Sequence, residues 1–324
     1  MELPPPPPGT TVTVRAPAKV NLALKVGPLR EDDDFHELAT VFHAVDLYDE
    51  VVATQRPEGA GILITVEGEG ADVVPTDRRN LAWQAADLVA EGIHVDPDVH
   101  LHLSKSIPVA GGMAGGSADG AGALVACDAL WRGGLTRLDF LSLSAALGSD
   151  VPFSWHGGTA LGTGRGDRLS PVLARGRFTW VFAVVEGGLS TPAVYAEFDR
   201  AHGLDPVTGA LLDVESPEVP DALMAALLSG DPEALGRALV NDLQPAALAL
   251  RPDLDLVLET GHDYGALGAI VSGSGPTCAF LARDDEHALD LAVALTSAGI
   301  VRTVKRASGP VPGARVVDTT VSPG

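Results

Sequence analysis

Apolar positions alternate with other residues along Thr11–Val26, "TVTVRAPAKVNLALKV", most regularly at Val20, Leu22 and Leu24. A period of two predicts strand, and the Ala16-Pro17 step predicts two strands broken at the proline. "ILITVEG" from Ile62 and "VHLHLSKS" from Val99 read as further strands. Between them Leu81, Ala85, Leu88 and Val89 share one helical face behind Asn80, a fitting cap. A helix ending near Leu130 follows, then another whose Thr136 and Asp139 have capping-box spacing, before "SDVPF" interrupts the pattern. The texture changes near Arg177. A strand over "FTWVFAVVEG", a proline-started helix at "TPAVYAEF" and Ala/Leu-rich helices through Arg251 come next. Strand, tight turn, strand, helix and strand complete the series from Gly268 to Ser308. The prediction is a mixed α/β (α+β) chain: a proline-rich tail over 1–9 with no core to join, one domain over 10–171 and a second over 172–324.

Composition narrows the function. The 324 residues are 46% hydrophobic and 20% charged, which is ordinary for a globular chain, and no run reaches the roughly 20 apolar residues of a membrane span. A net charge of −21 repels polyanions, so neither nucleic acid nor membrane is an expected partner. The two cysteines, Cys127 and Cys278, sit far apart in apolar segments and read as buried core thiols in a reducing cytoplasm. A monomer or weak homodimer is the expected state.

One stretch stands out: "IPVAGGMAGGSADGAGAL", Ile107 to Leu124. No lysine follows its glycines, which excludes a P-loop, and no register supplies the full dinucleotide fingerprint. Two readings remain. The run is either a loop whose backbone N–H groups cradle a phosphate ahead of a helix starting at Ser117 or Ala118, or a set of small residues that lets a helix pack closely on a sheet.

Other segments bear on that choice. "RAPAKVNLALKVG", "PVAGGMAGGSADGAG", "LGSDVPFSWHGGTALGTGRGD" and "VSGSGPTCAF" occur in this order, and together they resemble the GHMP superfamily of small-molecule kinases. Pro-Ala-Lys-Val-Asn-Leu, Phe-His-Glu-Leu and Gly-Ser-Asp-Val-Pro-Phe resemble the branch that phosphorylates the 2-hydroxyl of a diphosphocytidyl methylerythritol with ATP, on the non-mevalonate route to isoprenoid precursors. Homoserine or mevalonate kinases are the nearest alternatives, and a catalytically silent ligand-binding member is another. The resemblance implies a two-domain fold with the active site in the cleft, nucleotide held mainly by the first domain, and Mg²⁺ arriving with ATP and held largely by its phosphates and waters.

Residue roles follow from the same likeness. On spacing alone Asp150 reads as a turn or capping aspartate before a helix-to-strand break, and Lys19 as a solvated strand residue. The resemblance instead makes Asp150 the base for the attacking hydroxyl, with Lys19 paired to it. Pro108, Val109, Ala110, Gly111, Gly112, Met113, Ala114, Gly115, Gly116, Ser117 and Ala118 form the implied ATP cradle, with Ala118 where a second serine is common. Asn21, on the strand face of Lys19, is expected to meet substrate hydroxyls. Phe35 and His36, behind the acidic cluster Glu31 to Asp34, are implied to hold the cytosine by stacking and hydrogen bonding; Asp34 and Phe35 depart from the usual Gly-Tyr. Thr191, Pro192 and Tyr195 match the opposite aromatic wall, or are simply the start of a helix. Ser272, Gly273, Ser274 and Gly275 read alone as a hairpin turn, and by resemblance as a loop over the phosphates. His100 and His102 share a strand face without a third metal ligand nearby, so no protein metal site is expected.

Overall fold

The computed structural model describes residues 6–30, 35–203 and 215–321; Pro4, Pro5 and the acidic cluster Glu31 to Asp34 lie outside them. Strand β1 (Thr11–Leu29) is followed by β2 (His36–Gln55), β3 (Leu63–Gly68), helix α1 (Leu81–Ile93) and β4 (Val99–Lys105). Then come α2 (Gly115–Trp131), α3 (Arg137–Leu147), α4 (Val151–His156), β5 (Thr159–Gly164) and β6 (Arg168–Pro171). The second half runs β7 (Phe178–Val184), α5 (Thr191–His202), α6 (Asp221–Ser229), α7 (Pro232–Ala238), β8 (Val240–Asn241), α8 (Gln244–Leu250) and α9 (Asp253–Asp263). It ends with β9 (Gly268–Val271), β10 (Cys278–Ala282), α10 (Asp285–Ser297), β11 (Thr303–Gly309) and β12 (Arg315–Thr320).

These strands make two sheets. The larger has the order β12-β1-β2-β4-β3, with β5 and β6 continuing from β2 and β8 parallel to β1; the smaller has the order β11-β7-β10-β9. Although β7 opens the second sheet in sequence, β8 and β12 return to the first. Asn80 caps α1 by accepting from the Ala82 N–H, and Thr136 with Asp139 forms the predicted capping box on α3.

β1 is one strand, not two broken at Pro17. Its pairing with β2 jumps from Pro17 opposite Tyr48 to Ala18 opposite Val45, so Asp46 and Leu47 bulge out of β2 at that point. On the other side of β1, β12 ends opposite Arg15 and β8 starts opposite Ala23. Pro17 therefore falls where neither neighbour needs its missing N–H. The bulge also joins the sheets: Asp46 accepts from the Ser308 N–H at 2.6 Å and from Arg177 at 2.7 Å.

β1 runs through three cores in turn. Val12 and Val14 join α1 and α2, Val20 and Leu22 meet Phe178, Trp180 and Phe182 of β7, and Leu24 and Val26 meet α5 and α9. The opposite face of β7, at Val181 and Ala183, belongs to the third core, as a period of two requires. Cys127 and Cys278 are buried free thiols, their pKa values raised by burial. The proline tail is not wholly detached: Pro6 is buried, and the Gly9 N–H donates to Gln55 O at 2.9 Å. Among the described residues no helix is long and apolar enough to cross a membrane.

His43 in β2 is fully buried, with Nδ1 2.9 Å from Thr159 Oγ1 and its ring edge-on to Phe178. Burial lowers its pKa from 6.5 to about 4. Between these values the unfolded chain binds a proton that the folded chain refuses, so stability falls as pH drops through the interval, by on the order of 3 kcal/mol in all. His43→Gln is expected to flatten that acid limb, as read from urea midpoints across the same pH range.

Candidate active site

Lys19, Asn21, Phe35, His36, Asp150, Thr191, Pro192, Tyr195, Gly273 and Ser274 line one cavity of about 590 Å³, together with Gly112 and Ala114 of the glycine run. Residues separated by up to 255 positions in the chain thus share a wall, because β1 passes beneath both halves.

Lys19 occupies the floor. Its side chain is 5% exposed; Nζ donates to Asn21 Oδ1 at 2.6 Å and to Gly112 O at 2.8 Å, and lies 3.8 Å from Asp150 Oδ2. Burial pulls this ammonium below the ordinary lysine range, and the Asp150 charge opposes that shift. Asn21 also donates from Nδ2 to Thr40 Oγ1 at 2.8 Å, so both ends of its amide hold the floor in place. Asp150 does not stand at a helix-to-strand break: it precedes α4, at the N-cap position. Its carboxylate makes no cap hydrogen bond, is 32% exposed and faces the cavity. The capping role suggested by spacing is therefore not what this side chain does.

The glycine run packs a helix closely on the sheet and opens that helix with a tight loop. α2 is buried on nearly every side, with Gly122 pressed against Val51 and Ala16, which is close packing on the sheet. Ahead of it, Pro108 to Ala114 form a loop with Ala110 at φ 55°, Gly112 at φ 73° and Ala114 at φ 61°. Non-glycine residues in that region cost on the order of 1–3 kcal/mol each. The helix starts at Gly115, two or three residues earlier than the Ser117 or Ala118 expected, because Ala114 supplies the left-handed turn. The first helical hydrogen bond runs from the Ala118 N–H to Ala114 O, leaving the N–H groups of Gly115, Gly116 and Ser117 ahead of it. Met113 and Ala118 are fully buried, backbone included, and the Ala118 N–H already bonds Ala114 O, so these two expected cradle positions do not face the cavity.

Ser272 to Gly275 are a hairpin turn between β9 and β10, and the turn is also part of the site. Ser272 Oγ donates to Gly112 O at 3.1 Å, Ser274 Oγ is 2.8 Å from Thr191 Oγ1, and a Cβ on Gly273 would come within 3.2 Å of Lys19 Nζ. Asn241 of β8 holds the turn from behind by donating to Val271 O and Gly273 O.

At the far end of the cavity, His36 stacks on Tyr195 with centroids 5.3 Å apart. His36 Nδ1 is 2.8 Å from Gly27 O, and Nε2 lies 3.1 Å from Asp199 Oδ1 without a hydrogen bond between them. The histidine thus braces Tyr195. Phe35 is 54% exposed, with the Arg165 guanidinium 5.4 Å from its ring centre. The Tyr195 hydroxyl has a raised pKa, from burial first and from the Asp150 charge second. Thr40, Arg165, Asp199 and Asn241 were not singled out by sequence; only Asp199, one helical turn after Tyr195, carried a spacing signal.

A paired lysine and aspartate beside a glycine-rich helix start, in a cleft between two sheets, are the features of a GHMP kinase. The GHMP kinases N terminal domain family matches residues 80–158, and the GHMP kinases C terminal family matches residues 223–301. A Thermobifida fusca relative named 4-diphosphocytidyl-2-C-methyl-D-erythritol kinase is 56% identical, covering 95% of this chain and 99% of its own. A crystal structure of 4-(cytidine 5'-diphospho)-2C-methyl-D-erythritol kinase is similar at 32% identity and a TM-score of 0.72, over 91% of this chain and 98% of that one. The L. major mevalonate kinase, at 17% identity, reaches a TM-score of 0.73 over 96% and 99%, and so shares the fold. The chain belongs to the 4-diphosphocytidyl-2-C-methyl-D-erythritol kinase family of the GHMP kinases, and it is an enzyme of the kinase class.

Proposed function

We propose that this chain transfers the γ-phosphoryl group of ATP to the 2-hydroxyl of 4-diphosphocytidyl-2-C-methyl-D-erythritol. The observation that carries this reading is the position of Lys19 and Asp150, 3.8 Å apart, where the glycine loop meets an aromatic-walled cavity. In the proposed step Asp150 takes the hydroxyl proton as the substrate oxygen forms its bond to the γ-phosphorus. The bond from that phosphorus to the bridging oxygen breaks, and ADP leaves. Lys19 stabilises the charge spread over the transferring group. The N–H groups of Gly115, Gly116 and Ser117, at the positive end of α2, receive the phosphates. No covalent enzyme intermediate is involved.

Among the described residues no three or more His, Cys, Asp or Glu side chains are grouped as a metal cage. Mg²⁺ would arrive with ATP, held largely by its phosphates and waters, and would neutralise phosphate charge there. Nucleotide lies mainly against residues 10–171, and the cytidyl substrate reaches across to α5. The cytosine ring lies between Phe35 and Tyr195, with His36 fixing the tyrosine. The enzyme acts in the cytoplasm as a monomer or weak homodimer, on small molecules and not on nucleic acid; its net charge of −21 supports the last point.

Phe35→Ala tests the substrate end. Removing one stacking face is expected to raise KM for the cytidyl substrate by about tenfold, with KM for ATP and kcat nearly unchanged. An unchanged KM for the cytidyl substrate in steady-state kinetics would remove Phe35 from the pocket wall.

A further inference from the structure

Beneath the glycine loop lies a buried ion cluster that the phosphoryl-transfer chemistry does not use. Lys105, the last residue of β4, directs Nζ at Asp49 of β2, at Asp119 Oδ2 of α2 (2.5 Å) and at the Gly115 carbonyl oxygen (3.2 Å). The three ionisable side chains are 1%, 0% and 3% exposed respectively. Asp49 also accepts, through Oδ1, from the Ser106 N–H at 2.7 Å and the Ile107 N–H at 2.9 Å.

These contacts fall on the two ends of one segment. Asp49 holds the residues that enter the loop; Gly115 and Asp119 hold those that leave it, and Lys105 bridges the two sets. Between them the backbone places Ala110 and Ala114 at positive φ, a geometry that their side chains oppose. Such a loop keeps its shape only when its ends are held. A buried charge cluster is poor at adding net stability, but breaking one partner leaves the other charges uncompensated, so this arrangement enforces a geometry.

We propose that Lys105, with Asp49 and Asp119, is a clamp that fixes both ends of the glycine loop in its phosphate-accepting form, making Lys105 a positioning residue for nucleotide. The proposal rests on the kinase reading above. Lys105 contacts the loop from below and Lys19 contacts it from the cavity side, so the two lysines have separate effects: Lys105 acts on nucleotide affinity and Lys19 on the transfer itself.

The test is calorimetric binding of a non-hydrolysable ATP analogue and, separately, of the cytidyl substrate, together with steady-state kinetics. Lys105→Met is expected to weaken the nucleotide by about tenfold or more and leave cytidyl-substrate affinity within about twofold. Because an unpaired Asp119 could impair folding, the charge-balanced pair Lys105→Met/Asp119→Leu is made alongside. It removes one charge of each sign, keeps Asp49 on its two backbone donors and cuts the Lys105 ties to Asp49, Asp119 and Gly115. The clamp predicts the same nucleotide-specific loss in this folded variant, and Lys105→Arg, which keeps the charge, is expected to recover part of it. Nucleotide affinity within about twofold of wild type in the folded pair would overturn the clamp, as would equal loss of both ligands. Wild-type enzyme that binds nucleotide but fails to phosphorylate the cytidyl substrate would contradict the kinase reading alone, since the nucleotide comparison needs no turnover.

Discussion

Asp150→Asn is expected to lower kcat by about 10²- to 10⁴-fold while nucleotide affinity and melting temperature stay close to wild type. The separation of effects follows from the local structure. Asp150 occupies the N-cap position of α4 without using its carboxylate to cap it, so the isosteric amide costs the helix nothing. The side chain is 32% exposed, and its close charged partner is Lys19 at 3.8 Å. What the substitution removes is the acceptor for the hydroxyl proton. It also removes the charge that offsets the burial of Lys19, so the Lys19 ammonium loses its proton more readily than in wild type. Residual activity should therefore fall off at lower pH on the alkaline side than wild-type activity does. Single-turnover rates and nucleotide binding on the same preparation check both parts, and turnover within a few-fold of wild type would remove Asp150 from the base role.

Gly112→Ala is expected to reduce turnover by about 10²-fold, the loss associated with displacing reacting groups by roughly 1 Å. A methyl group here would lie 2.0 Å from Ser272 O and 3.2 Å from Gly275 N, both of them backbone atoms that cannot swing aside. The φ of 73° adds roughly 1–2 kcal/mol of strain for any residue with a Cβ. Gly112 O also accepts from both Lys19 and Ser272, so its shift moves the catalytic lysine and separates the loop from the hairpin turn together. Both KM for ATP and kcat should suffer. Gly92→Ala in α1 is the matched control: nothing lies within 4 Å of its added methyl, and it should leave activity unchanged while stabilising the helix by roughly 0.5–1 kcal/mol. Kinetics and thermal melts on the two variants separate loop geometry from a general glycine effect.

What could be read from the sequence, and what could not, divides along physical lines. Helix α1, its Asn80 cap and the Thr136–Asp139 box were legible because they depend on residues within one turn of each other. The strand carrying Lys19 was legible by alternation, but its continuity through Pro17 was not, since that depends on where β12 and β8 stop along its edge. The start of α2 was misjudged because two alanines adopt positive φ, a conformation that local propensity argues against. Lys19 and Asp150 were singled out through two of four ordered motifs, and Phe35 and Tyr195 through two further short segments, whereas spacing alone assigned Asp150 to capping. The surroundings of His36 were not legible, because Gly27 and Asp199 approach it from β1 and α5. Lys105 did leave a trace, because the alternation Val99, Leu101, Leu103 points it inward. Its partners Asp49 and Asp119 come from other elements and are paired with it only by the fold.

Pocket and chemistry form a single assignment. ADP release by the purified enzyme with Mg²⁺-ATP, comparing 4-diphosphocytidyl-2-C-methyl-D-erythritol with homoserine and mevalonate and using Asp150→Asn as control, tests it directly. Selective release with the cytidyl substrate that disappears in Asp150→Asn is the predicted result. Release with homoserine or mevalonate instead, or nucleotide binding with no turnover on any of the three, would contradict it.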